Sequence, residues 1–297
     1  PSPAGPTAIT GGIKALALDA AGRVLATMRA SNGRVLVARF LADGTVDTTF
    51  GDNGTAWHAG PDSGTFDPMA IMVRPDGRIL VAGQMLYSLQ VGYWPAFAQL
   101  HADGALDTTF GDSGFVSIRP APNPFVVPLA AILLPDGAAI QAGLTQPAVL
   151  GGVLVETDAY FVRITPDGRP DPSFGANGVL VWTAGPADRN ESSNYATALS
   201  VARDGALLAC QNWLNDALVT SRAAIPQVIV QKRSPLTGAA MAGFGLDGTG
   251  WLPRRQRDKE AYCIRMRTAR DGSTVALLDY RAKLALDESF ALVRVRD

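Results

Sequence analysis

The sequence is poor in the residues that most often announce an active site. Its 297 residues include two histidines, His58 and His101, and two cysteines, Cys210 and Cys263. Two histidines exclude a His-rich metal cluster. Two cysteines are too few for a disulfide framework, and their spacing fits no zinc motif. Neither sign of charge dominates, with 26 Lys and Arg against 27 Asp and Glu. That balance excludes a general nucleic-acid or anionic-membrane binder, whose mark is excess Lys and Arg. No apolar run reaches the ~18–20 residues of a spanning helix. The longest, Val126 to Leu144, is broken by Pro128, Pro135 and Asp136. There is no Gly-x-Ser-x-Gly elbow and no Walker loop, so neither a cofactor nor a metal is expected. The chain opens on Pro1 rather than Met, as expected of a trimmed or processed form, and no signal peptide is legible.

What the sequence has is turns and apolar residues: 31 Gly, 20 Pro and 47% hydrophobic residues. The turns fall into a repeat. Asp43–Gly44–Thr45–Val46–Asp47–Thr48–Thr49–Phe50–Gly51 recurs at Asp103–Gly111 and again at Asp167–Gly175, and a worn copy ends in Phe244–Gly245. The phenylalanines are 60, 64 and 70 residues apart, and Gly54, Gly114, Gly178 and Gly248 each follow four residues later. Between these copies, apolar runs flank Asp76–Gly77, Asp136–Gly137, Asp204–Gly205 and Asp271–Gly272, with Ala21–Gly22 as a weaker first copy. Asp–Gly between alternating apolar runs predicts a hairpin with φ > 0 at both turn residues.

Each unit reads as four antiparallel strands, a to d. In the second unit these are Met69–Arg74, Arg78–Gly83, Phe97–His101 and Phe115–Arg119. Four strands per repeat of ~40–60 residues describe a propeller blade. The prediction is an all-β, five-bladed β-propeller in one domain, with blades near 13–61, 66–122, 127–186, 194–253 and 261–297. The last blade lacks a fourth strand, and Thr7–Thr10 is expected to complete it, because an open ring leaves bare strand edges.

These units resemble the delta-60 repeat, a bacterial β-propeller repeat of the form A-x-x-x-D-G-K-I-x-V-A-G followed by D-G-x-L-D-x-x-F-G-x-x-G. The resemblance covers about residues 13 to 297 and is best in units two and three. Unit four has Met241 where the Asp before Phe belongs. The resemblance implies a propeller in an extracytoplasmic setting and says almost nothing about activity.

Within the repeat, Phe50, Phe110, Phe174 and Phe244 are expected to fill the gaps between blades. Asp47, Asp107 and Asp171 are expected to accept hydrogen bonds from turn amides. A calcium role for Asp43, Asp47 and Asp52 is the weaker alternative, since calcium takes six to eight oxygens. Trp57, Trp182 and Trp251 sit on strands d as packing.

The a–b turns are regular and the b–c and d–a loops are not, so binding is expected on the irregular face. Ligand-binding candidates are Tyr93, Trp94, Trp213, Tyr195, Tyr262, Arg265 and Arg267, for a glycan or protein partner. Aromatics beside polar groups suit sugars or peptides, but Trp94 and Trp213 packing their own loops is the stronger alternative. Arg265 and Arg267 lie on an innermost strand. They are expected to pair with acids of the neighbouring blade, an anionic ligand being the alternative. Cys210 and Cys263 fall in adjacent blades, with two buried free thiols expected and a disulfide left open.

Two functions remain. The favoured one is a non-catalytic extracytoplasmic binding or scaffold module presenting its variable loops. The alternative is a carbohydrate-active hydrolase with Asp67, Glu191 and Glu260 at the channel mouth. Glycoside hydrolysis needs two carboxyl groups ~5–9.5 Å apart.

Overall fold

The computed structural model describes residues 12–30, 33–61, 64–88, 92–119, 125–145, 158–182, 192–215, 227–244, 249–251, 259–282 and 288–295. Over these residues the chain is all-β, in five antiparallel sheets. The first contains β1 (Ile13–Leu18), β2 (Val24–Arg29), β3 (Val35–Phe40) and β4 (Thr55–His58). The second contains β5 (Thr65–Val73), β6 (Ile79–Ser88), β7 (Gly92–Leu100) and β8 (Phe115–Ser117). The third contains β9 (Val126–Leu133), β10 (Ala139–Thr145), β11 (Ala159–Ile164) and β12 (Val179–Trp182). The fourth contains β13 (Ser192–Val201), β14 (Leu207–Asn215), β15 (Gln227–Arg233) and β16 (Thr249–Trp251). The fifth has three strands, β17 (Lys259–Thr268), β18 (Thr274–Ala282) and β19 (Glu288–Val295). The segment expected to complete it, Thr7–Thr10, lies outside the described residues.

The chain forms two compact units. One is Pro1–Arg119 with Pro135–Gly137 and Thr165–Arg169; the other is Pro120–Leu134, Ala138–Ile164 and Pro170–Asp297. In the first, Phe66 and Ile71 of β5 join Leu25, Val35 and Val37 of the first sheet in one apolar core. In the second, Ile140 and Phe161 pack with Leu199 and Leu207, and Leu208 and Val230 pack with Met266 and Leu278. Each sheet thus buries a face against its chain neighbour within the unit, which is how a sheet with one apolar face becomes stable.

The Asp–Gly turns correct one expectation. Only the glycine has φ > 0, at 85° for Gly77 and 83° for Gly137, Gly205 and Gly272. The Gly77 amide donates to the Arg74 carbonyl at 2.9 Å and the Arg74 amide to the Arg78 carbonyl at 2.8 Å. The loop therefore holds three residues, a tight turn followed by a left-handed glycine. Asp76 Oδ1 accepts from the Arg78 amide at 3.0 Å, so the aspartate works as a side-chain cap and does not need φ > 0.

The Phe–Gly motif ties one repeat to the next. A Cβ placed on Gly104 would sit 3.0 Å from Phe50 Cζ, and one on Gly168 2.8 Å from Phe110 Cδ2. On Gly238 it would sit 3.1 Å from Phe174. Each phenylalanine is thus seated against the turn glycine of the following repeat. Beside it, the Gly51 amide donates to the Asp103 carbonyl and the Gly111 amide to the Asp167 carbonyl, both at 2.8 Å. In the second unit Gly175 donates to Thr237 at 3.1 Å.

The motif aspartates fasten the loop to its own sheet. Asp47 Oδ1 accepts from the Thr49 amide and hydroxyl, and Oδ2 from Arg39 Nε at 2.8 Å. Asp107 repeats this with Thr109 and with Gln99 Nε2 at 2.9 Å. Asp171 does so with Ser173 and Arg163. In the fourth sheet Met241 takes the aspartate's place, and its amide donates to Lys232 where the others donate to Arg39, Gln99 and Arg163. Lys232 Nζ pairs instead with Asp204 at 2.8 Å.

Asp107 is 1% exposed. Burial raises its carboxyl pKa, but hydrogen bonds from Thr109 and Gln99 and the nearby His101 outweigh this and hold it at about 2, below the ordinary 3.8. A depressed folded-state pKa contributes stability above pH 3.8 that is lost as pH falls toward 2. The loss is about 2 kcal/mol for a shift of this size. Denaturant titrations at pH 5 and pH 2 should show Asp107→Asn losing less stability than wild type over that interval. Identical losses would show that Asp107 is not the linked group.

Cys210 of β14 and Cys263 of β17 form a disulfide with Cα atoms 6.3 Å apart. This corrects the expectation of two free thiols. Both cysteines are buried in the same core, and their backbones approach within the span a bridge requires.

Candidate active site

The strands of the second sheet run further toward the irregular loops than the sequence implies. β5 begins at Thr65 and not Met69, β6 continues to Ser88, and β7 begins at Gly92 and not Phe97. The sequence misleads here because Pro68 and Pro95 look like strand breakers. Pro68 is absorbed by a register shift between Pro68 and Ala70. Opposite it, the Asp67 carbonyl presses where a side chain on Gly83 would stand, so that glycine makes room for the bulge.

This extension places Asp67. Its neighbour Phe66 is fully buried, donates its amide to the Gly33 carbonyl at 2.9 Å and lies 6.3 Å from the Phe115 ring. With Phe66 anchored, Asp67 stands opposite Gln84 in the β5–β6 ladder. The Asp67 side chain is 24% exposed, and its Oδ2 lies 4.0 Å from the Arg29 guanidinium. Its Oδ1 is closed to solvent and accepts no hydrogen bond, and the same holds for Gln84 Oε1.

The aromatic candidates of this sheet are strand residues. Trp94 stands opposite Met85, and Tyr93 opposite Leu86. The Trp94 ring lies 4.8 Å from that of Tyr87 and 5.9 Å from the Arg119 guanidinium. The Tyr87 hydroxyl bonds Ser117 Oγ at 2.5 Å. Trp94 is thus in contact with the Tyr87 ring and close to the Arg119 guanidinium. Trp57 and Trp182 are engaged too, by Thr55 Oγ1 at 3.0 Å and by the Arg233 guanidinium at 5.5 Å.

In the second unit, Tyr195 and Tyr262 are half-buried and stand opposite Asn212 and Asp279. Asn212 Oδ1 accepts the Cys263 amide at 2.8 Å, beside the disulfide. Trp213 pairs by its backbone with Asn194 and Gln227, and Glu260 with Arg281. The side chains of Trp213 and Glu260, and the whole of Glu191, lie outside the described residues. Arg265 and Arg267 are exposed and make no ion pair among the described residues. This corrects their expected pairing: their face of β17 stays open to water, so neither charge needs a partner. Cys263 offers no nucleophilic thiol, and His58 Nε2 is held 2.8 Å from the Gly104 carbonyl.

Gln84 and Asp279 were not singled out from the sequence, and Asn212 stood out only as one of the polar residues of the irregular loop 211–226. Each of the three follows its turn glycine by seven residues, as Arg29 follows Gly22. Asp67, Tyr195 and Tyr262 each precede theirs by ten. The third sheet has Val127 and Leu144 at these places. Counting from the turn glycine would have found this polar row.

Residues 22–50, 74–110 and 149–174 match the model of a family described as a domain of unknown function (DUF5122) beta-propeller. No curated protein matches the chain. Among solved structures, a polysaccharide lyase of family PL25, an ulvan lyase bound to -[GlcA(1-4)Rha3S]-, is 9% identical with a TM-score of 0.55. That alignment covers 94% of this chain and 67% of the lyase. An alpha-L-arabinanase from Penicillium chrysogenum, complexed with arabinobiose, is 10% identical with a TM-score of 0.54, covering 92% of this chain and 78% of the arabinanase. At these identities the likeness is one of fold, and the family model that matches parts of the chain describes a β-propeller. The expectation of a non-catalytic binding or scaffold module is corrected by these neighbours, which are polysaccharide-cleaving enzymes. The sequence pointed elsewhere because its repeated residues are structural ones, at the turn end of each sheet.

Proposed function

We propose that this β-propeller is a carbohydrate-active enzyme that cleaves polysaccharide outside the cytoplasm, with Asp67 as a catalytic carboxylate. The observation that carries the reading is the contrast between Asp67 and the motif aspartates. Asp47 and Asp107 have both carboxylate oxygens engaged by donors. Asp67 is partly open to solvent, has only a long contact to Arg29, and keeps one oxygen without a donor. A buried acceptor left unpaired costs stability and calls for a functional explanation. A carboxylate that is anchored but not engaged is what acid–base or nucleophilic work on a glycosidic bond requires. The two enzymes of similar fold act on glycans, which supports the same chemistry here.

We read the five sheets as five blades of the delta-60 type, with Thr7–Thr10 as the missing strand of the last. The Cys210–Cys263 bridge supports an extracytoplasmic setting, since disulfides persist in oxidising compartments.

The test is a panel of plant, algal and bacterial polysaccharides assayed for new reducing ends and for unsaturated ends. Asp67→Asn is expected to lower turnover by at least ~100-fold, the lower range for removing a general acid or base. Glu191→Gln and Glu260→Gln, made singly, test the remaining carboxylate candidates. No new ends from any polysaccharide would sink the enzymatic reading. Full turnover by Asp67→Asn would remove Asp67 from it.

A further inference from the structure

Two acceptors without a donor stand side by side in the first unit. Asp67 and Gln84 are direct partners in the antiparallel ladder, so their side chains leave the same face of the sheet. Their Cβ atoms are then ~4.5–5.5 Å apart. Asp67 Oδ1 and Gln84 Oε1 are both buried, and neither has a hydrogen-bond partner. At the matching position of the fourth sheet, Asn212 Oδ1 does have one, the Cys263 amide. The pair in the first unit is therefore not a copy of a structural latch.

We propose that Asp67 and Gln84 form a two-acceptor seat for adjacent hydroxyls of a neutral sugar ring. The inference rests on the glycan-cleaving reading and adds the substrate class to it. The missing partner must bring two donors to one face at close spacing, as a vicinal diol does. A metal ion is disfavoured twice over. Arg29 places its guanidinium 4.0 Å from Asp67 Oδ2, and two side-chain oxygens fall short of a hard cation's shell. A uronate or sulfated sugar would bring its negative charge against the Asp67 carboxylate. Both side chains are partly exposed. Their terminal torsions are broad, so a partial rotation turns these oxygens toward an incoming hydroxyl.

The experiment uses the full chain with arabinobiose and cellobiose as neutral probes, digalacturonate as the anionic one and calcium chloride as the ionic one. Binding is read by titration calorimetry, and thermal unfolding is read on the same samples. A neutral disaccharide should bind saturably and the other two should not. Gln84→Leu should weaken that binding at least tenfold while unfolding at the same temperature as wild type or above it, because it removes an unpaired polar atom. Gln84→Met serves if the leucine variant does not fold. The opposite pattern, unchanged binding with a lowered unfolding temperature, would show that Gln84 instead donates to Asp67 within the protein, and the seat would be lost. Preferential binding of digalacturonate or calcium would also overturn it.

The two readings separate cleanly. Wild type that cleaves a polysaccharide with a KM unchanged by Gln84→Leu removes the seat and leaves the enzyme. Wild type that binds a neutral disaccharide through Gln84 but cleaves nothing removes the enzyme and leaves the seat.

Discussion

Truncating Phe110 to alanine is expected to destabilise the first unit by about 4 kcal/mol, within the ~3–5 kcal/mol range for emptying a buried phenylalanine site. Phe110 is 1% exposed and is seated against Gly168, whose turn belongs to the same unit. That glycine has φ 83° and no room for a Cβ, so this wall of the cavity has no side chain to move in. The large cost follows from this rigidity, since the penalty grows with the volume that neighbours cannot reclaim. Urea titration should show a lower midpoint with an unchanged slope. A loss below ~1 kcal/mol would mean that the Phe–Gly contact is incidental to stability, unlike the usual large-to-small core change.

Removing the disulfide should cost a similar amount. Cys210 and Cys263 are 53 residues apart in sequence. Closing a loop of that length removes about 4 kcal/mol of unfolded-state entropy on the chain-entropy account. The double variant Cys210→Ala, Cys263→Ala should unfold at a denaturant midpoint lowered accordingly. Wild type in excess reductant should converge on the same midpoint. The Asn212 bond to the Cys263 amide remains in the double variant, so the second unit should still fold. Titration of two thiols in the native, oxidised protein, with a midpoint insensitive to reductant, would show that the bridge does not form.

These effects also mark where the sequence can be read. The repeat Phe, Gly and Asp positions were legible because the same local problem is solved several times, and repetition separates it from noise. Phe50, Phe110 and Phe174 are buried as expected, and the structure adds that they meet Gly104, Gly168 and Gly238. Asp47, Asp107 and Asp171 cap their own turns. The strand ends were less legible. Pro68 and Pro95 resemble terminators, yet a bulge and a facing glycine keep Pro68 inside its strand, and Pro95 stands in regular register opposite Gln84. The sequence therefore placed Tyr93 and Trp94 in a loop, where the structure sets both in a strand, with Trp94 against Tyr87 and near Arg119.

The site was only half legible. Asp67 was named from its place ahead of an innermost strand, but Gln84 and Arg29 were not, because each lies on a different strand from Asp67. By itself the sequence determined the all-β architecture, the turn positions and the repeat phenylalanines, since these depend on short-range spacing that recurs. Tertiary structure alone decided the Cys210–Cys263 bond, the exposure of Arg265 and Arg267 and the unpaired oxygens of Asp67 and Gln84. Those depend on how separate strands are set against one another in space. A bond or a missing donor belongs to a pair of distant residues, and no single stretch of chain contains it.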